Sequence, residues 1–544
     1  MPEPEAPFST SSILVCCLVN LNEAVSGNII FPLLPSLVSR YVANPVEIGF
    51  YVGLLGSSYF LGQVLTVRTF GTVSDMYGRR PVLLFGLLGS LLSFVWFGLA
   101  RTYIEAVLSR FLCGCINGNV AINKIYVGEV TTKSSQATGF AWLSLTWGLG
   151  TLVAPALGGF LADPAALYPG SALDTPLLRA YPFLLPSLIS VGFSAFCLAL
   201  ALPLLKETEP WLKRNSRGGS SSSSSSGGSS SSGGGSASTP SAVAAAAEAA
   251  EEGGEGSEEE DALNEEEEEV VRLLSDRAEQ QEGEEEEGEG SDDDDDDEGA
   301  GIEGTPSKNK TGVATTASAA PEIMRTTSSL AIITHPVLGP AIAAYAALSA
   351  LQIMFDELLP VFCSTAVEAG GLGWQSSTIG SVFPVAGLVQ ILSTLFLAPV
   401  LQRRLGAKAS FQCFLYPLVP YFLAFPLVSR LVPAPPPSLY VAVCALVGLR
   451  TLLFSLPFSS VLLIINNLSP PAHLGLCVSV AQAVASAIRT VGPTLGGGIF
   501  SASMAATSLG VWRLQGPYIL MAATTTLTLW LSTRISAHCN APPE

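Results

Sequence analysis

Long apolar stretches separated by short polar breaks run through most of the chain. Twelve of them are long enough to cross a bilayer as a helix, for which about 20 residues suffice. They cover residues 12–35, 49–69, 82–100, 104–127, 137–161 and 182–204, then 337–361, 377–400, 409–429, 438–463, 475–500 and 513–534. Between the sixth and the seventh the pattern collapses into a Ser/Gly tract from Gly218 to Gly235, a poly-Ala run and blocks of Glu and Asp. High charge with few apolar side chains cannot offset the entropy of ordering, so this segment reads as disordered, with Glu265–Leu274 as its one stretch able to coil transiently. The pattern predicts an all-α polytopic membrane protein. It has a six-helix half over residues 1–205, a linking loop over 206–328 and a second six-helix half over 329–544.

Composition agrees: 49% of the 544 residues are hydrophobic and the mean hydropathy is +0.46, which a soluble domain could not accommodate. The net charge of −19 misleads, because residues 206–325 hold 32 of the 45 acidic residues and only 9 of the 26 basic ones. The membrane body is therefore mildly basic, and the acidity says nothing about a substrate. Basic residues fix an orientation. Arg68, Arg79, Arg80, Lys133, the loop's own bases, Arg403, Arg404, Lys408 and Arg534 fall on one side of the predicted spans. Arg40, Arg101, Arg179, Arg430 and Arg513 fall on the other. The bias places both termini and the linking loop in the cytosol. The ten cysteines lie mostly inside apolar runs and read as small buried hydrophobes, and three histidines cannot furnish a His-rich metal loop. Residues 1–12 carry acids and no Arg or Lys, which argues against a cleaved signal peptide.

One break stands out. Gly71-Thr-Val-Ser-Asp75-Met-Tyr-Gly78-Arg79-Arg80-Pro81 separates the second and third spans. As a polar hairpin, Gly71 would permit close backbone approach, Asp75 would accept hydrogen bonds at a helix start, and Pro81 suits a first helical turn. The Gly-x-x-x-Asp-x-x-Gly-Arg-Arg spacing resembles the loop 2–3 signature of the major facilitator superfamily. The resemblance implies twelve transmembrane helices in two pseudo-symmetric six-helix halves, with a substrate site between them at mid-membrane. An internal repeat agrees with it. Ala154-Pro155-Ala-Leu157-Gly158-Gly159 in span five echoes Gly492-Pro493-Thr-Leu495-Gly496-Gly497 in span eleven, and Ala398–Lys408 is a degraded copy of the signature that keeps positive charge and loses the aspartate. Gly150, Pro155, Gly158, Gly492 and Pro493 are expected to act as hinges, since a Gly–Pro step with small neighbours allows both close packing and bending.

The resemblance narrows further. Tyr51-Val-Gly-Leu-Leu-Gly-Ser-Ser, Ser109-Arg110-Phe-Leu-Cys-Gly114, Asn117-Gly118, Lys124, Glu129 and Thr146-Trp147-Gly148-Leu-Gly150 look like the zinc-induced facilitator-like proteins of plants and fungi, near the drug/proton antiporters. Phe355-Asp356, Gly370-Gly-Leu-Gly373-Trp374, Asn466 and Arg489-x-x-Gly492-Pro493 carry it into the second half. Two departures stand out: Cys113 replaces a glutamine frequent in the antiporter span-four motif, and Asn467–Leu474 lacks basic residues.

Ionisable groups inside a span are costly and face the bundle interior. Glu23 lies mid-span one beside Asn20 and Asn22. Asp356-Glu357 occupies the corresponding place in span seven, nearer the non-cytoplasmic end. Arg110, Asn119 and Lys124 lie in span four, Arg450 in span ten and Arg489 in span eleven. These form the expected proton-coupling and substrate set, with Glu23 as the principal proton carrier. A fixed ion pair that holds the bundle together is the competing reading for each. Gly71, Asp75, Gly78, Arg79, Arg80 and Glu129 form the expected cytoplasmic gate. The expected activity is proton-coupled antiport of a small organic solute, cation or metal chelator by alternating access, in a vacuolar or plasma membrane. A proton-independent uniporter and a non-transporting receptor or scaffold are the alternatives. The chain contains no Gly-x-x-x-x-Gly-Lys-Ser/Thr, His-Glu-x-x-His or Gly-x-Ser-x-Gly, so no enzyme, cofactor or protein-bound metal is expected. The expected partners are a small-molecule or ion substrate, protons and lipid, with no nucleic acid, and the chain is expected to act as a monomer.

Overall fold

The computed structural model describes residues 10–131, 136–208, 329–432, 436–470, 474–506, 508 and 512–535. The linking loop from residue 209 to 328, the Glu265–Leu274 stretch and Lys133 lie outside the described residues. Among the described residues, ten helical segments are long and apolar enough to cross a membrane, and they fall on ten of the twelve expected spans.

The other two expected spans depart for visible reasons. The fourth is not one helix. It is α4 (Tyr103–Ile116) and α5 (Asn119–Val130), broken at Asn117-Gly118, where Asn117 adopts φ −92° and ψ 85°. The twelfth is a single helix, Gly516–Arg534. Its Thr524, Thr525, Thr526 and Thr528 reduce its apolarity, and each donates its hydroxyl to the carbonyl one turn back. That arrangement removes a lone donor from an apolar setting.

The remaining long helices are α1 (Thr10–Asn28), α2 (Ile48–Tyr77), α3 (Arg79–Gly98), α6 (Gln136–Leu161), α7 (Leu184–Leu204), α8 (Gly339–Ser364), α9 (Ser376–Leu392), α10 (Ala407–Leu415), α11 (Pro436–Leu468) and α12 (Leu474–Ala505), and the Gly516–Arg534 helix is α13. Within residues 10–208, α1 packs on α6, α2 on α4 and α3 on α7. Within 329–535, α8 packs on α12 and α13, and α10 on α11. Two seams join these groups: α2 lies along α12, and α6 along α9. Small residues make the approach possible. A methyl group built at Gly53 would strike the carbonyl of Pro493, and one at Gly159 would strike the backbone of Ser376 and Gly380. Hydrogen bonds stitch the first seam: Phe50 N to Ser501 Oγ (2.9 Å), Thr494 Oγ1 to Ser57 Oγ (2.7 Å) and Ser486 Oγ to Gln63 Oε1 (3.1 Å).

The signature stretch is not the polar hairpin that its sequence suggests. α2 continues to Tyr77 and α3 begins at Arg79, so Gly78 alone turns the chain, at φ +102° and ψ 163°. Only glycine enters that region without strain. Asp75 sits in the last turn of α2, not at a helix start. Gly71 lies inside α2 with nothing within 4 Å of where a side chain would begin, so it serves no close approach. Pro81 falls in the first turn of α3 as expected. The degraded copy repeats the turn: Gly406, at φ +80° and ψ 164°, precedes α10. This register puts Arg403 in the place of Asp75 and Lys408 in that of Arg80.

Candidate functional site

The fourth-span break builds the first part of the site. Glu23, 4% exposed, receives the side-chain amide of Asn119 at Oε1 (3.0 Å) and that of Asn117 at Oε2. No cation lies within ion-pair distance of Glu23 among the described residues. Its neighbours Asn20 and Asn22 bind elsewhere, to Leu143 O (2.7 Å) and to Ser194 Oγ (2.8 Å). Asn117 Nδ2 also donates to Tyr59 Oη (3.0 Å), and the Tyr59 ring carries the Arg110 guanidinium 4.7 Å from its centroid. Phe94 lies on Arg110 as well (5.8 Å). The order Glu23–Asn117–Tyr59–Arg110 is therefore continuous. The sequence pointed to Glu23, Asn119 and Arg110; it gave no reason to choose Tyr59.

The second part is centred on residues 339–505. Asp356 Oδ1 pairs with Arg450 Nη1 at 3.2 Å, Arg450 Nη2 donates to Gln352 O (3.2 Å), and the guanidinium is sandwiched by Phe355 (4.6 Å) and Phe454 (4.7 Å). Asp356 and Arg450 line a cavity of about 30 Å³ with Asn28, Thr151, Gln352 and Gln390. That holds little more than a water molecule, so the polar groups converge on an occluded space. Glu23 does not line it. Glu357, on the neighbouring face of α8, is 3% exposed, and its Oε2 has no hydrogen-bond partner. Arg489 Nη2 donates to Ser349 Oγ (3.1 Å). Lys124 reaches Gln482 Oε1 (3.5 Å), which also accepts from Tyr345 (2.9 Å). Of the expected set, Glu23, Asn119 and Arg110 thus gather in one neighbourhood and Asp356 and Arg450 in another, while Lys124 and Arg489 are bonded to Gln482 and Ser349.

The signature residues converge at Gly78. Arg79, whose side chain is 7% exposed, pairs with Asp75 (2.6 Å) and Glu129 (3.0 Å) and donates to Ser74 Oγ (2.6 Å). Two members of this network were missed from sequence because they stand at the edge of the low-complexity loop. Thr208 Oγ1 donates to Glu129 Oε2 (2.6 Å), and the Glu207 carboxylate accepts from the backbone N–H groups of Arg79 (2.8 Å) and Arg80 (3.1 Å). Glu207 thereby satisfies the open N-terminus of α3 from more than 120 residues away. Arg80 donates to Leu202 O (2.8 Å), and Lys408 makes the matching bond to Ile535 O. Of the expected hinges, Gly150 and Gly158 accommodate α1 and the turn after it, Pro155 and Pro493 sit inside α6 and α12, and Gly492 meets Ala350 only at ordinary contact distance.

Residues 16–493 match the Major Facilitator Superfamily. The chain belongs to that superfamily. It is an integral, multi-pass membrane protein of a transporter family. A multidrug transporter of the superfamily from Aspergillus fumigatus is 27% identical over 90% of this chain and 78% of its own. Zinc Induced Facilitator 1 of Arabidopsis thaliana is 25% identical over 89% of this chain and 82% of its own, and Zinc Induced Facilitator-Like 1 is 32% identical over 37% and 41%. Among solved structures, a D-xylose–proton symporter aligns with a TM-score of 0.59 at 13% identity, covering 99% of this chain and all of the other. At that identity the likeness establishes the major facilitator fold alone.

Proposed function

We propose that this superfamily member is a proton-coupled antiporter of a small organic solute, cation or metal chelator, working by alternating access. The observation that carries the reading is Glu23: a carboxyl buried in a span, gripped by two amides from a broken helix, with no cation within ion-pair distance among the described residues. Broken helices near mid-membrane supply binding groups in many secondary transporters. A carboxyl placed there is costly while ionised, so proton uptake changes which packing of the bundle is favoured. The relatives' names, a multidrug transporter and zinc-induced facilitators, favour an organic or complexed solute.

In this reading the Asp356–Arg450 cavity receives the substrate, whose polar groups compete with the internal ion pair. Residues 10–208 and 329–535 rock against each other about the two seams. The named seam contacts run from Gly49 and Gly497 to Gln63 and Ser486. With the charge bias placing the termini in the cytosol, that is a state closed toward the opposite side.

The test is pH-gradient-driven uptake beside counterflow in the same proteoliposomes, for the wild type and Glu23→Gln. The variant should lose gradient-driven accumulation and keep exchange. Accumulation by Glu23→Gln with an unchanged pH dependence would remove the assignment, and substrate movement without proton movement in the wild type would leave a uniporter.

A further inference from the structure

Glu357 has no part in the mechanism above. It lies on α8 against α2, and its carboxyl occupies the space where a side chain on Gly56 would begin. It is thus pressed into the seam between residues 10–208 and 329–535. One of its oxygens, Oε2, is buried without a hydrogen-bond partner. A carboxylate in that position would carry the full cost of an unsolvated charge. A carboxylic acid carries a fraction of it and can offer a donor.

The charged and titratable groups around it come from several elements. Asp356 adjoins it on α8 and is engaged by Arg450 of α11. Tyr51 and Tyr59 stand on α2, and Tyr103 of α4 donates to Tyr51 O (2.7 Å). Arg489 of α12 is bound to Ser349. Arg110 of α4 is the cation in electrostatic range, and its own Nε has no hydrogen-bond partner. An unpartnered carboxyl oxygen thus lies buried in the seam, and the unpartnered guanidinium N–H of Arg110 lies buried on α4, which packs on α2. Arg110 is also the end of the Glu23–Asn117–Tyr59 chain.

We infer that Glu357 is a second proton-binding carboxyl, which takes up a proton when the α2–α8–α12 seam closes and releases it to water, pairing with Arg110, when the seam opens. The step balances: one O–H bond forms on closure and breaks on opening, and Arg110 keeps its charge throughout. The inference rests on the alternating-access reading, yet it is separate from the role of Glu23.

The test is hydrogen exchange of α2 peptides over Gly49–Phe60 in the purified, full-length protein without substrate or gradient, across pH 5.5–8.5 and corrected for intrinsic rates. Linkage to one proton makes seam opening about tenfold more frequent per pH unit once Glu357 ionises on opening. The wild type should show at least that slope, Glu357→Gln should lose one decade per unit from it, and adding Glu357→Gln to a Glu23→Gln background should remove the same decade. Equal slopes in wild type and Glu357→Gln would overturn the inference, as would a slope that vanishes only in Glu23→Gln. Protection that follows Na⁺ or K⁺ rather than pH would overturn it in favour of a cation site. If Glu357→Gln yields no monodisperse protein, Glu357→Asp keeps the titrating group while drawing it back from the Gly56 notch. The midpoint of the pH dependence must then move, and an unmoved midpoint counts against Glu357.

Discussion

The two glycines of the signature stretch should respond to the same substitution with opposite signs. Gly71→Ala places a methyl group in open space within α2, and Ala exceeds Gly in a helix interior by about 1 kcal/mol. Gly78→Ala forces a side chain to φ +102°, at about 2 kcal/mol for a conformation that is essentially glycine's own. The new methyl group also displaces the Glu207 carboxylate from the N–H groups of Arg79 and Arg80. Because Glu207 is partly exposed, each bond is taken below the usual charged value, at about 1 kcal/mol. The variants should then differ by about 5 kcal/mol in opposite directions from the wild type. The assay is the monodisperse fraction of detergent-purified protein after a series of heating steps, since large membrane proteins unfold irreversibly and report a rate. Repeating Gly78→Ala in a Glu207→Gln background should shrink its penalty toward the backbone part alone, because the two sites share one contact. If Gly71→Ala is as damaging as Gly78→Ala, the division of labour described for this turn is wrong.

Asp75→Asn removes only a partner that is 55% exposed, worth about 0–1 kcal/mol, whereas Glu129→Gln leaves the buried Arg79 without its second carboxylate and should lower thermal stability several times more; equal losses would contradict the network. Asp356→Asn strands Arg450 beside the cavity and should raise the KM for uptake more than it lowers the maximal rate, read from concentration series in proteoliposomes. Outside the spans, Arg179 and the Gly170 amide hold the Asp174 carboxyl at about 2, below the usual carboxylate range. Its contribution is present above that ordinary range and is lost as pH falls toward 2, so Gly170 amide exchange should stay slow to about pH 3, and Asp174→Asn should make it fast at neutral pH.

The spans were legible because apolar length is nearly the whole criterion for crossing a bilayer, and the Pro and Gly punctuation marked most ends. The break in the fourth span was not, since Asn117-Gly118 in a run of apolar residues reads equally as a tolerated interruption; only the approach of α1, carrying Glu23, decides it. The signature was recognised by spacing, yet its geometry was misread. Asp75 and Arg79 are one helical turn apart across a single-residue kink, and no local pattern announces that a helix will continue through Gly71. Glu207 and Thr208 were hidden by their neighbours, because composition averages over a window and the last ordered residues of a span look like the first of the loop. Pairings between residues far apart in the chain, such as Arg450 with Asp356, were available only as a list of costly charges awaiting partners.

The interrupted fourth span bears on how the protein is made. Neither α4, with 14 residues, nor α5, with 12, spans a bilayer alone, and the turn between them leaves backbone groups without their helical partners. The side-chain N–H groups of the asparagines at and after the turn are taken up by earlier chain: those of Asn117 and Asn119 by Glu23, and that of Asn123 by the carbonyl of Cys16 at 2.9 Å. This segment therefore cannot partition into lipid as an independent unit during synthesis. It has to leave the insertion channel against a first span already waiting beside it, so the order of assembly is written into the carboxyl of Glu23.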